Sequence, residues 1–138
     1  WEKYVYEMLV VDFLILNRDR HGANIEVLRN SKEKTLRLAP VFDHGLSLLF
    51  SCQTEKAVDE FDVMQDRPIQ CFVGGNSAQK NLELIPKKEL PQFHPLKEEH
   101  RNELLGGLEG IVPQYLLDKI WDMIWERWLY YEDFCNQK

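Results

Sequence analysis

The residues able to do chemistry concentrate in two short stretches, LNRDRHGAN at 16–24 and PVFDHGLSL at 40–48. The first contains Asp19 and Asn24, and the second contains Asp43. Phosphoryl transfer needs a carboxylate that accepts the hydroxyl proton of the acceptor. It also needs an amide oxygen and a second carboxylate that hold Mg²⁺ on the nucleotide phosphates. These three residues are of the required types, so phosphoryl transfer is our leading hypothesis.

The elements on either side of these stretches could bring them together. Apolar residues recur at helical intervals over 2–16, which predicts a largely buried helix that ends where the polar cluster begins. Apolar and polar residues alternate over 24–30 and 35–42, and the polar link SKEK between them predicts a β-hairpin. A hairpin returns the chain to its starting point, so we expect Asp43 to lie close to Asn24.

The remainder of the chain is predicted to be irregular and then helical. Prolines and a Gly-Gly pair interrupt residues 46–95, with short helical pieces near 54–61 and 78–84. A helix is predicted from 96 to 112, and a stronger one after Pro113. Its tryptophans, at helical spacing, are expected in the core rather than on a partner surface: Trp121, Trp125 and Trp128. The pattern predicts one mainly α domain, residues 1–138, with a small β-hairpin.

Composition excludes several classes of protein. A net charge of −6 and a pI near 5.2 argue against direct nucleic-acid binding. No apolar run reaches the roughly 18 residues of a membrane span, and no signal peptide is visible. The three cysteines form no CxxC pair, which gives no reason to expect a zinc site or a disulfide framework. We expect free thiols in a cytoplasmic protein.

The two stretches resemble the motifs of one kinase family. NRDRHGAN at 17–24 is similar to the N-x-D-R-H-x-x-N catalytic loop of the HipA-like kinases, including the CtkA-like branch. LAPVFD at 38–43 resembles the metal-binding strand of that family, and the resemblance extends more weakly over 68–85. The D-R-H-x-x-N core is also similar to that of the phosphatidylinositol kinases, which are more distant relatives.

The resemblance implies a kinase-like C-terminal lobe and a role for each residue. Asp19 would be the catalytic base, while Asn24 and Asp43 would bind Mg²⁺ on ATP. We place His21 and Asn17 in the catalytic set as supporting residues, His21 to orient Asp19 and Asn17 to cap the loop. The implied activity is ATP-dependent phosphorylation of a serine or threonine in a protein.

Several kinase features are absent from the sequence. No glycine-rich strand pair and no V-A-I-K-type lysine precede the catalytic loop, and FVGGNSAQK at 72–80 lacks the P-loop spacing. We therefore expect the C-terminal lobe of a longer protein, without its N-terminal lobe and with little activity by itself. His44 stands where the D-F-G pattern has Phe, and Gly45 is expected to supply a positive φ angle for the turn.

Alternatives to this hypothesis stay open. The lobe could phosphorylate a phosphoinositide-type lipid, or it could be a non-catalytic pseudokinase or helical interaction module. The expected partners are a protein substrate and the missing N-terminal lobe, with no membrane. Some family members work with an antitoxin-type partner, which nothing in these residues indicates.

Overall fold

The computed structural model describes all residues from 1 to 138. It is mainly helical with little β structure, which confirms the predicted class. The α-helices are α1 (Glu2–Leu14), α2 (Glu55–Asp59), α3 (Ala78–Leu82), α4 (His100–Leu105) and α5 (Gln114–Gln137). Short 3₁₀ turns occupy Gly22–Asn24 and Lys87–Glu89. No helix is both long and apolar enough to cross a membrane.

Four short strands form two separate pairs. The predicted hairpin is present as β2 (Val27–Asn30) and β3 (Thr35–Leu38), which pair antiparallel with Val27 opposite Leu38. The second pair is parallel and was not predicted: β1 (Asp19–Arg20) lies beside β4 (Gln70–Cys71). A two-residue strand has no periodicity to detect, so only the fold could disclose this pairing.

The chain divides into two compact units. The first, which we call the site unit, consists of residues 1–47 and 66–91. Its core forms where α1 packs on α3, and apolar residues of α1 are fully buried there, including Val10 and Phe13. The fully buried Leu82 of α3 and Ile85 belong to the same unit. Both candidate stretches lie in this unit, apart from the last residue of the second, Leu48.

The second unit, which we call the helical unit, consists of residues 48–65 and 92–138. α2 packs against α5, and the buried stripe of α5 includes Leu117, Trp121 and Trp128. The core placement predicted for Trp121 and Trp128 is therefore confirmed. Trp125 is partly buried against a cluster formed by Leu105, Leu117 and Trp121. The expectation of a single domain stays a prediction.

The helix predicted over 96–112 is wrong in length, because only His100–Leu105 is helical. The helix stops at Gly106, whose φ of −61° and ψ of 143° are extended. Gly107 and Gly110 then adopt φ of +83°, a region that residues with a Cβ rarely occupy. These glycines therefore end the helix and turn the chain towards Pro113.

Candidate active site

The loop that follows α1 is built around Asn17, which is fully buried. Its main-chain N–H donates to the carbonyl of Asp12, and its Nδ2 donates to Asp12 Oδ1 at 3.0 Å. Its Oδ1 accepts a hydrogen bond of 3.1 Å from the main-chain N–H of Asp19. Asn17 therefore connects the last turns of α1 to the start of β1, and it positions Asp19 without reaching the surface.

Arg20 is the most buried charged residue of the site unit, with 1% of its surface exposed. Its Nε donates to Asp12 Oδ2 and its Nη2 to Asp12 Oδ1, both at 2.9 Å. This two-pronged geometry is the strongest that a guanidinium and a carboxylate can form. The pair satisfies a carboxylate that would otherwise lie unpaired in the buried α1 helix, where Asp12 is only 4% exposed.

The remaining donors of Arg20 reach the two candidate stretches. Nη1 donates to the carbonyl of Asn24 at 3.3 Å and to the carbonyl of Phe42 at 2.7 Å. Nη2 also lies 3.0 Å from Nδ1 of His44. Since a guanidinium only donates, Nδ1 of His44 is the acceptor in this contact. One buried side chain thus binds the residue before Asp43, the residue after it and the backbone of Asn24.

The structure also joins Asp19 directly to Asn24. Nδ2 of Asn24 donates to the main-chain carbonyl of Asp19 at 2.8 Å. Because that carbonyl can only accept, the amide must present its nitrogen there, which leaves Oδ1 of Asn24 as an acceptor with no partner in the chain. Because Asn24 is buried and its Nδ2 is bonded to Asp19, the position of this oxygen is fixed by the loop.

His21 belongs to the same loop. Its Nδ1 accepts a hydrogen bond of 3.2 Å from the main-chain N–H of Ala23, so the neutral ring carries its proton on Nε2. Nε2 lies 3.6 Å from Oδ1 of Asp19, which is an ion-pair distance rather than a hydrogen bond. The Asp19 side chain remains 29% exposed, so solvent or an acceptor group can reach its carboxylate.

Asp43 is exposed, unlike the buried Asn17 and Asn24, and its carboxylate has no hydrogen bond or ion pair within the chain. Its backbone adopts φ of +56°, in the left-handed region that few residues other than glycine occupy. The expectation that Gly45 supplies the positive φ of this turn is wrong, since Asp43 itself adopts it. A left-handed non-glycine residue stores strain, and such strain concentrates at functional sites.

A metal site at this position would depend on amide and carboxylate oxygens. No group of three or more His, Cys, Asp or Glu side chains in the 138 residues is arranged to hold a metal ion. Mg²⁺ does not need three such side chains, because it usually keeps several waters and binds one or two protein oxygens beside substrate phosphates. Oδ1 of Asn24 and the carboxylate of Asp43 are oxygens of this kind, and neither is engaged within the chain.

The parallel pair carries a cysteine close to this network. Cys71 is opposite Arg20 in the β1–β4 register and is half-buried. Burial raises the pKa of its thiol, an effect larger than the opposing hydrogen bonds from the backbone of Val73 and Phe72. The thiol is therefore neutral at physiological pH, and Cys71 packs as a small apolar residue.

The sequence left the role of Arg20 open and did not single out Asp12. Arg20 could fix the loop through a carboxylate or be exposed, and the structure shows that it binds the carboxylate of Asp12. Asp12 interrupts an apolar run, and this was the available signal, because a lone carboxylate in a buried helix needs a partner. The sequence did not indicate that the carboxylate bound by Arg20 was that of Asp12.

Comparison with known proteins gives one informative similarity. The chain is 27% identical over 124 residues to the serine/threonine-protein kinase CtkA of Helicobacter pylori. The chain resembles a bacterial kinase. The similarity covers 88% of this chain but only 36% of the relative, so the chain spans about a third of that protein's length. It supports a kinase, and therefore a transferase, as the general class.

Two further comparisons found nothing. No protein-family model matches the chain, and no solved structure matches it significantly.

Proposed function

We propose that these residues form the C-terminal catalytic lobe of a HipA-like serine/threonine protein kinase that uses ATP and Mg²⁺. In this proposal Asp19 accepts the proton of the acceptor hydroxyl. The hydroxyl oxygen forms a new bond to the γ-phosphorus, the bond between that phosphorus and the β,γ-bridging oxygen breaks, and ADP leaves. Asn17 and His21 orient Asp19, and neither changes its bonding in the transfer.

Asn24 and Asp43 are the residues that would hold the metal. Their unengaged oxygens have the hard character that Mg²⁺ prefers. A metal ion bound there would neutralise charge on the phosphate oxygens of the nucleotide. The chain itself contributes the burial of Asn24 and the left-handed backbone of Asp43, which hold the two oxygen donors before any ligand binds.

One observation carries the proposal. The guanidinium of Arg20 bonds the carbonyls of Asn24 and Phe42, so the two segments that bear the proposed ligands share a buried anchor. The sequence motifs and the similarity to a serine/threonine-protein kinase agree with this arrangement. Because the similarity covers 36% of that relative, the protein acceptor and the presence of a further lobe are part of the proposal.

The proposal also predicts that residues 1–138 by themselves transfer phosphate poorly. Phosphoryl transfer depends on positioning the nucleotide between groups that surround it, and an open half-site does this poorly. Transfer at an ordinary kinase rate by the 138 residues alone would contradict this part.

The experiment compares the intact native protein containing these residues with its Asp19→Asn and Asp43→Asn variants. Labelled ATP–Mg²⁺ is supplied with cell-lysate proteins or with phosphatidylinositol vesicles. Label in protein, lost in both variants and kept in Asp59→Asn, is the expected result. Asp59 is a matched control because it is exposed and its carboxylate makes no hydrogen bond or ion pair, while its main-chain carbonyl accepts from Lys119. Label in lipid alone would establish the lipid kinase instead, and no label in a folded protein would leave a pseudokinase.

A further inference from the structure

The parallel β1–β4 pair has a buried face and a solvent face. Residues opposite each other in a parallel pair lie on the same face, and successive residues alternate between faces. Arg20 and Cys71 share the buried face, and Asp19 therefore shares the opposite face with Gln70, which is exposed. The carboxylate proposed as the base thus belongs to an open β surface.

Phe72 extends this surface beside the loop. A Cβ built on Gly22 would lie 3.5 Å from Cδ2 of Phe72, so the ring rests directly on Gly22. The ring is nevertheless 55% exposed. One side of the aromatic ring therefore covers the loop that contains Asp19, and the other side is open to solvent.

The segment that carries Phe72 is held in place rather than free. Asn81, which is 4% exposed, accepts from the N–H of Gly75 at 2.8 Å and donates to its carbonyl at 3.0 Å. Gly74 has φ of +99°, and a Cβ there would overlap the Asn81 amide. At the base of the loop, Ser77 Oγ donates to Asp66 at 2.5 Å and caps α3. A structured loop thus keeps a large apolar ring exposed beside the site.

We propose that the face formed by Asp19, Gln70 and Phe72 binds an extended segment of the acceptor protein. Phe72 packs against a large apolar side chain within two residues of the phosphorylated serine or threonine, and the free amide of Gln70 bonds the main chain of that segment. This inference rests on the proposed function, because Asp19 defines where the acceptor hydroxyl must lie.

The dimensions of a parallel strand pair give the separation between Asp19 and Phe72. Phe72 is one strand across from Asp19 and two residues further along the register. With strands about 4.8 Å apart and a rise of about 3.3 Å per residue, the separation is roughly 8 Å, which two residues of an extended peptide span. An apolar side chain at that distance covers the exposed side of the ring while the hydroxyl reaches Asp19.

The test uses the intact protein and a peptide library with a central serine and degenerate flanking positions. Wild-type protein is expected to select Leu, Ile, Met or Phe at one position within two residues of the serine. Phe72→Ala is expected to lose that selection and to raise KM for the selected peptide at least fivefold. KM for a peptide with Ala at that position is expected to change much less, so that the ratio of the two KM values approaches one in Phe72→Ala.

Leu104→Ala is the control, because Leu104 is 54% exposed in α4 of the helical unit. It should leave both the selection and KM unchanged. Unchanged selection in a folded Phe72→Ala protein, or an equal loss in the control, would overturn the inference.

A binding measurement separates this inference from the proposed function. Fluorescein-labelled peptides with Leu or Ala beside the serine are titrated with each protein, and anisotropy is recorded without nucleotide. Preference for the Leu peptide by wild type and not by Phe72→Ala supports the acceptor face even where no phosphate is transferred. Equal binding of both peptides by wild type overturns it even where transfer occurs.

Discussion

The guanidinium of Arg20 donates a hydrogen bond of 2.7 Å from Nη1 to the main-chain carbonyl of Phe42. This bond attaches the segment containing Asp43 to the loop containing Asp19. The same guanidinium is paired with Asp12 inside the core, so the position of the proposed site is coupled to the packing of α1. The first two predictions follow from this coupling.

Replacing Arg20 by Met is expected to lower the free energy of unfolding of the chain by about 3–5 kcal/mol. The cause is that Asp12 would keep a buried charge without an opposite charge, since only the neutral amide of Asn17 would still donate to it. Urea unfolding followed by tryptophan fluorescence measures this directly. The double variant Asp12→Leu/Arg20→Met should recover only part of the loss, because the carbonyls of Asn24 and Phe42 still lack their donor. A free energy of unfolding of Arg20→Met within about 1 kcal/mol of the wild-type value would contradict the prediction.

His44→Ala is expected to weaken Mg²⁺–ATP binding to the intact protein while leaving its stability nearly unchanged. The exposed imidazole accepts one hydrogen bond from Arg20, and its loss frees the backbone after Asp43. One such bond is worth about 0.5–1.5 kcal/mol, so the Mg²⁺ concentration at half-saturation should rise roughly twofold to tenfold. Calorimetric titration of each protein with Mg²⁺ in the presence of ATP measures this concentration. His94→Ala is the control, since His94 is exposed in the helical unit, and an equal effect there would refute the role of His44.

Gly74→Ala is expected to destabilise the chain by about 1–3 kcal/mol, whereas Gly75→Ala should change stability little. A methyl group on Gly74 would meet Asn81 and Leu84 and would require a φ of +99°. Gly75 is a neighbouring control, because a methyl group there would have no atom within 4 Å and its φ is not positive. Thermal unfolding of the two variants measures the difference. Equal stabilities would mean that the loop beneath Phe72 is not held by Asn81.

Arg101→Gln is expected to raise the pKa of Asp118 towards its ordinary value of 3.8. A hydrogen bond from Arg101 holds that pKa lower, and a second bond from Gln114 adds to it. Because the folded pKa is the lower one, the resulting stability is present above pH 3.8 and is lost as pH falls through the folded pKa.

The effect on stability is small, since half of the Asp118 side chain is exposed. Carbon-detected NMR titration of the carboxyl group follows the shift. Arg29→Gln, at an exposed position of the site unit, should leave this titration unchanged. No shift in Arg101→Gln would exclude the hydrogen bond as the cause.

Much of the local structure could be read from the sequence. α1, the β2–β3 hairpin and α5 follow from apolar periodicity, because each buries one face or stripe over enough residues for the pattern to repeat. Selection of Asp19, Asn24 and Asp43 as candidate site residues followed from residue types and spacing, and their separate roles followed from the resemblance to a kinase family. The length of α4 could not be read, since Gly106 allowed either continuation or termination.

Tertiary structure alone decided how those residues are held. The β1–β4 pair joins Asp19 to Gln70, and two-residue strands carry no pattern that could indicate such a contact. The buried Arg20–Asp12 pair and the left-handed Asp43 likewise arise from packing, because a guanidinium has five donors and no sequence rule says which carbonyls will meet them. Residue types, their spacing and the resemblance of two stretches to kinase motifs predicted which chemistry this chain could perform. The fold determined that one buried arginine holds the two segments at which that chemistry would occur.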